Sequence, residues 1–70
     1  MRFIYSKHAE KRLKERNILK IWVEETIKYP DLISRKKNKY CVVKKLNGKT
    51  LKVVYLKEKY IKVISCFFIV

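Results

Sequence analysis

His8, Arg12 and Arg16 recur at four-residue intervals in the stretch SKHAEKRLKER, residues 6–16. On an α-helix each residue turns ~100°, so positions four apart drift only ~40° per step and share one edge. Two guanidiniums one turn apart can grip a phosphate through paired hydrogen bonds, most firmly where a packed surface holds them still. His8 is the only histidine of the chain. A neutral imidazole can take a proton near neutral pH, and the amides of a first helical turn attract anions. Ala9 and Leu13 follow one position behind and form a thin apolar stripe, so the charged edge lies beside the buried face rather than opposite it. This is the chemistry of a phosphate clamp with a proton-transfer group at its end. The same residues also suit a solvated basic helix in which His8 is a cap or packing residue, so the two readings need the rest of the chain.

The elements that must position this edge are legible in outline. RFIY suits an opening strand, and Ser6 is a good N-cap whose hydroxyl can accept from the amides of His8 or Ala9. The pattern is helical from Ser6 to Arg16, with Glu10 and Lys14 as a favourable i,i+4 pair. Asn17 tolerates the left-handed conformation that ends helices. A second helix runs from Leu19 to Lys28, with Leu19, Trp22, Val23, Thr26 and Ile27 at helical spacing. It stops at Tyr29-Pro30, because the residue before proline is pushed out of helical geometry.

The remainder reads as strands. DLISRK is short and charged, which suits a sheet edge. KYCVVKKL and KTLKVVYL flank Asn47-Gly48, a two-residue hairpin signal in which both residues accept positive φ. That loop sets Leu46 opposite Lys49, Val42 opposite Val53, and Tyr40 opposite Tyr55. A turn at Lys57-Glu58-Lys59 leads into YIKVISCFF. The expected fold is α+β: a short N-terminal strand and two helices packed on one face of an antiparallel sheet.

Seventy residues make one domain, residues 1–70, and about half of them are apolar, enough for a single core. The 19 Lys and Arg against 6 Asp and Glu leave a formal charge of +13, which favours a polyanionic partner. Two cysteines are too few to staple a small fold, and no signal peptide precedes the first strand, so reduced thiols in a cytoplasmic protein are expected. Without a CxxC pair and with one histidine, no metal or other cofactor is expected. The longest apolar run, SCFFIV, is far short of a membrane span.

SKHAEKRLKERNI, WVEETIKYPDLI, LKVVYL and IKVIS together resemble the "domain of unknown function 4258" family. Its pattern is His-Ala-x-x-Arg-(apolar)-x-x-Arg-x-Ile, a second helix, a proline-aspartate step and paired strands. The chain matches at His8, Ala9, Arg12, Leu13, Arg16, Ile18, Pro30 and Asp31, and along the final hairpin. It departs at Asn17, where the family usually has Gly, and at Leu19, where it usually has a Ser or Thr cap. Ser65 matches a hydroxyl position in the late strand. Such domains are placed near the RelE-type toxins, so the resemblance implies a RelE-like fold and a metal-independent endoribonuclease acting on RNA, ribosome-bound in some members.

Under that reading His8 is the base or acid, and Arg12 with Arg16 clamps the phosphate. Tyr55 and Ser65 are candidates for a proton donor or phosphate contact. Lys37, Lys39, Lys44, Lys45 and Lys52 would track the RNA backbone, and Tyr40 would stack on a base. Tyr40 and Tyr55 are equally explained as cross-strand packing partners, and the alternating lysines as a solvated sheet face. Two other readings stay open: a non-catalytic nucleic-acid-binding module, and an interaction protein whose basic face docks an acidic partner such as an antitoxin. The C-terminal CFFIV, as an uncovered apolar edge, would also allow a homodimer through that strand.

Overall fold

The computed structural model describes residues 2–69. Phe3–Tyr5 forms β1, Lys7–Arg16 α1 and Lys20–Lys28 α2. Four strands follow: β2 (Leu32–Lys36), β3 (Lys39–Leu46), β4 (Lys49–Lys57) and β5 (Ile61–Ile69). The strands make one sheet in the order β1-β5-β4-β3-β2.

The fold is α+β, and the sheet is mixed rather than purely antiparallel. β2 to β5 form an antiparallel meander, but β1 joins β5 in parallel, pairing Phe3 with Ile61, Ile4 with Lys62 and Tyr5 with Val63. The physical reason is the route of the chain: the two helices carry it from β1 to the far edge of the sheet, where β2 starts in the opposite direction, and the three reversals of the meander bring β5 back beside β1 in the same direction.

The Asn47-Gly48 loop sets the expected register, with Val42 on Val53 and Tyr40 on Tyr55. Both loop residues have positive φ, 47° and 81°. Lys37, at φ 58°, begins the turn between β2 and β3, which has two residues like the Asn47-Gly48 loop.

Register divides the sheet into two unlike faces. Val42, Leu51, Val53, Tyr55, Ile61, Val63 and Cys66 point to the helix side and are buried with Ala9, Leu13, Ile18, Val23 and Ile27. α1 lies on β5, while α2 covers β3 and β4. The opposite face carries no helix. There Val43, Val54 and Leu56 stay half-buried among Lys39, Lys45, Lys52 and Lys62. β2 is exposed along its whole length, as a charged edge strand should be.

The helix ends follow their residues. Ser6 caps α1 through its hydroxyl, which accepts from the Ala9 amide at 3.1 Å. Asn17 closes α1 in the left-handed region, at φ 54°. Leu19 occupies the N-cap of α2 with no side-chain hydrogen bond, and its own side chain is 53% exposed instead of joining the apolar stripe. A cap without a hydroxyl or carboxamide leaves first-turn amides to water, a loss of about 1 kcal/mol.

β5 contains a bulge that strand periodicity does not announce. Val54 pairs with Ser65 but Tyr55 pairs with Val63, so Ile64 is an extra residue. The Ser6 hydroxyl donates to the Ile64 carbonyl at 3.0 Å, and the Ser6 amide donates to the Val63 carbonyl at 3.0 Å. One serine therefore fixes the start of α1 to the kink in β5.

Candidate functional site at the free edge of β5

The bulge decides which way Ser65 faces. Strict alternation from Ile61 and Val63 would bury Ser65 beneath α1; the extra residue turns it away and puts Cys66 into the core at 0% exposure. Beyond Val63, β1 supplies no further partner on that side of β5. α1 runs above this unpaired stretch, and Arg12 and Arg16 line a hollow of about 340 Å³ with Ser65, Phe67 and Phe68. Ser65 and Phe67 belong to the open face and Phe68 to the helix side, so the hollow straddles the sheet edge.

Arg12 is the more anchored of the two guanidiniums. Its Nη1 lies 3.1 Å from Glu15 Oε1, an exposed pair one turn along the helix. Burial pushes the Cys66 thiol up, and the Arg12 guanidinium partly opposes that shift, which marks how near the cation comes to the core strand. Arg16 is exposed and makes no ion pair among the described residues. His8 follows from helix geometry onto the same edge, one turn before Arg12. Its imidazole is exposed and has no hydrogen bond among the described residues.

The other candidates separate into three places. Tyr55 is on the helix side, 5% exposed, stacked on Tyr40 with centroids 5.1 Å apart and planes 4° apart. Arg35, paired with Tyr40 from β2, sits 5.4 Å from the other side of that ring. Burial, and secondarily Tyr40, raises the Tyr55 hydroxyl above its ordinary value. Neither tyrosine is brought to the arginine edge, and Tyr40 has neighbours on both ring faces.

Lys44 also points to the helix side, where its Nζ donates to the Tyr29 carbonyl at 2.8 Å and closes the end of α2. Lys39, Lys45 and Lys52 share the open face, and Lys37 stands at the β2–β3 turn. Lys52 borders the arginine hollow, with Nζ 5.9 Å from the centroid of Phe67, which lines it.

Residues the sequence did not assign to this site complete the surroundings: Phe67 and Phe68, expected as part of an uncovered apolar edge, and Trp22, expected on the apolar stripe of α2. Trp22 meets Phe68 at 6.4 Å in a tilted contact. The signal that could have found them is that an unpartnered strand end with two adjacent aromatics presents one to each side. On the far side of α1, Lys20 pairs with Glu10 at 3.4 Å and lies 4.8 Å over the Tyr5 ring. The Tyr5 hydroxyl is buried without a hydrogen-bond partner; burial, then the Glu24 charge, raises it above the phenol range.

Both cysteines are free thiols. Among the described residues no three His, Cys, Asp or Glu come together in a way that could hold a metal, and no helix is long and apolar enough to cross a membrane.

Two helices on one face of a five-stranded mixed sheet, with a cationic edge along α1, define a small basic α+β domain. The family model described as "Domain of unknown function (DUF4258)" matches residues 5–66, and the chain belongs to that family. No curated protein and no solved structure matches it.

Proposed function

We propose that this domain is a RelE-like RNA-binding domain that cleaves its substrate without a metal, at the edge formed by α1 and β5. One observation carries the reading: Arg12, Arg16 and Ser65, distant in sequence, line a single hollow at an unpaired strand end. Two cations and a hydroxyl facing one hollow are what a phosphodiester needs from its surroundings as it becomes pentacovalent. The formal charge of +13 and the lysines of the open face support a polyanionic substrate that continues past Phe67.

In this mechanism His8 takes the proton from the ribose 2′-OH. The 2′-oxygen attacks phosphorus, the bond to the 5′-oxygen breaks, and water supplies the proton to the leaving oxygen. The products are a 2′,3′-cyclic phosphate and a 5′-hydroxyl. Arg12 and Arg16 hold the non-bridging oxygens, and Ser65 donates a hydrogen bond to one of them. Tyr55 has no part. Free thiols suit the cytoplasm, and an acidic antitoxin is the natural inhibitor of so basic a face.

A second reading, binding without cleavage, is favoured by the exposed His8 imidazole with no group to orient it among the described residues. The experiment is RNA cleavage in chelator by wild type and His8→Ala, with binding measured in parallel. Loss of cleavage with retained binding supports the nuclease. Equal cleavage by both proteins, or none by either, removes it.

A further inference from the structure

A second hollow of about 390 Å³ adjoins the arginine site and shares Arg16 and Phe68 with it. It lies where two chain reversals, the end of α1 and the Asn47-Gly48 turn, meet the far end of β5. Its floor is apolar, formed by half-buried Trp22, Leu46 and Phe68. Its rim carries two carboxamides, Asn17 and Asn47, and a second cation, Lys49, whose Nζ sits 5.1 Å over the Phe68 ring. Among the described residues no carboxylate lines it.

We infer that this hollow takes one unpaired nucleobase of the RNA strand whose phosphate lies between Arg12 and Arg16. The inference rests on the RNA reading above and adds to it the recognition of a base. Its volume falls within the range of small-molecule sites, roughly 300–1,000 Å³. An indole and a phenyl ring give a planar base a surface to stack on, and unpaired RNA bases are commonly bound that way. A carboxamide both donates and accepts, which matches the mixed donor and acceptor edge of any base.

The linings of the two hollows suit different occupants. The last carbonyls of α1 lie at Asn17 and make that helix end partially negative. The amino and imino hydrogens of a neutral base meet those carbonyls, and the rings of the floor suit its plane, which a phosphate cannot use. The anion belongs one to two turns back, beside Arg12 and Ser65. Arg16 stands between the two and can serve both the sugar-phosphate and the base edge.

Trp22 is the sole tryptophan, so its emission reports on this hollow and on the α2 surface with Ile21 and Tyr29 that it also borders, and the Asn17 and Asn47 variants below separate the two. The test titrates the full chain with a short single-stranded 2′-O-methyl RNA, which lacks the attacking hydroxyl, and with the same backbone made abasic throughout. The base-bearing strand is expected to quench Trp22 and to bind about tenfold more tightly than the abasic one. Trp22→Leu should remove most of that difference. Asn47→Gly and Asn17→Gly, which keep the left-handed backbone and delete only the carboxamide, should each reduce it severalfold.

If both strands bind alike with Trp22 unchanged, and the Arg12→Ala, Arg16→Ala double variant still loses binding, the base site is overturned and the RNA reading stands. If neither strand binds at low salt, both fall.

Discussion

The two edges of the sheet each hold arginine beside aromatic rings, and they use it differently. At the β2 edge Arg35 is committed: its Nε donates to the Lys37 carbonyl at 2.8 Å and its plane lies over Tyr40, which stacks on Tyr55. At the β5 edge Arg12 holds only an exposed carboxylate, and Arg16 holds none among the described residues. Packed cations rigidify a ladder, whereas cations at an unpaired strand end keep donors free for a ligand. Residue type alone does not distinguish the two; the local supply of backbone carbonyls and ring faces does.

The sharpest way to break the comparison is to delete both arginines at one edge and the single arginine at the other. Arg12→Ala with Arg16→Ala is expected to raise the cleavage barrier by about 4 kcal/mol, roughly a thousandfold in rate, with little change in melting temperature. Arg35→Ala should leave RNA binding and cleavage within about twofold, since its donors never face the substrate. A loss of RNA binding in Arg35→Ala equal to that of the double variant would erase the contrast.

Next in size is Tyr55→Ala, which removes a buried ring from the core and should cost about 3 kcal/mol in chemical denaturation. Tyr55→Phe keeps the stack and should leave cleavage unchanged, whereas a catalytic hydroxyl would make it inactive. Ser6→Ala follows, at about 1–2 kcal/mol, because one hydroxyl both caps α1 and holds the Ile64 carbonyl. Its cleavage rate should also fall, since α1 then sits less firmly over Ser65.

The smallest effect is nil at neutral pH and grows in alkali. Tyr5, Tyr55 and Cys66 all have raised pKa values in the fold, Tyr5 most of all. The native state therefore keeps protons that the unfolded chain releases, and stability declines as pH rises past the ordinary thiol value of 9.0 and phenol value of 10.0. Thermal melts across this range should show the fall, and Cys66→Ala should remove its earliest part. A melting temperature that climbs between pH 9 and 10 would contradict the burial of these groups.

Much of the scaffold was readable because its signals are local. Ser6, Asn17, Pro30 and Asn47-Gly48 each impose a backbone geometry on their own, and the two helices and the long hairpin lie where those residues require. What was not readable depends on long-range pairing. Three residues of β1 carry no mark of direction, so the parallel pairing with β5 could not be inferred, and nothing in IKVISC flags Ile64 as surplus.

The candidate site divides in the same way. Arg12 and Arg16 follow from helix periodicity, but Ser65 joins them only because of the bulge. Lys44, which looked like one more strand lysine, is spent on a helix end. The CFFIV run is an edge over its described residues, 66–69: β5 is interior up to Val63 and lacks a strand partner on one side after it, while Val70 lies outside the described residues.

The surplus residue in β5 works as a spacer that conserves parity. Because the bulge absorbs Ile64, Val63 and Ser65 already pair with adjacent residues of β4, and its removal would leave every later side chain on its present side. What a one-codon deletion would take away is the carbonyl that the Ser6 hydroxyl reaches, and with it the tie between α1 and the strand. Such a deletion should loosen the helix over the arginine hollow without reshuffling the residues that line it.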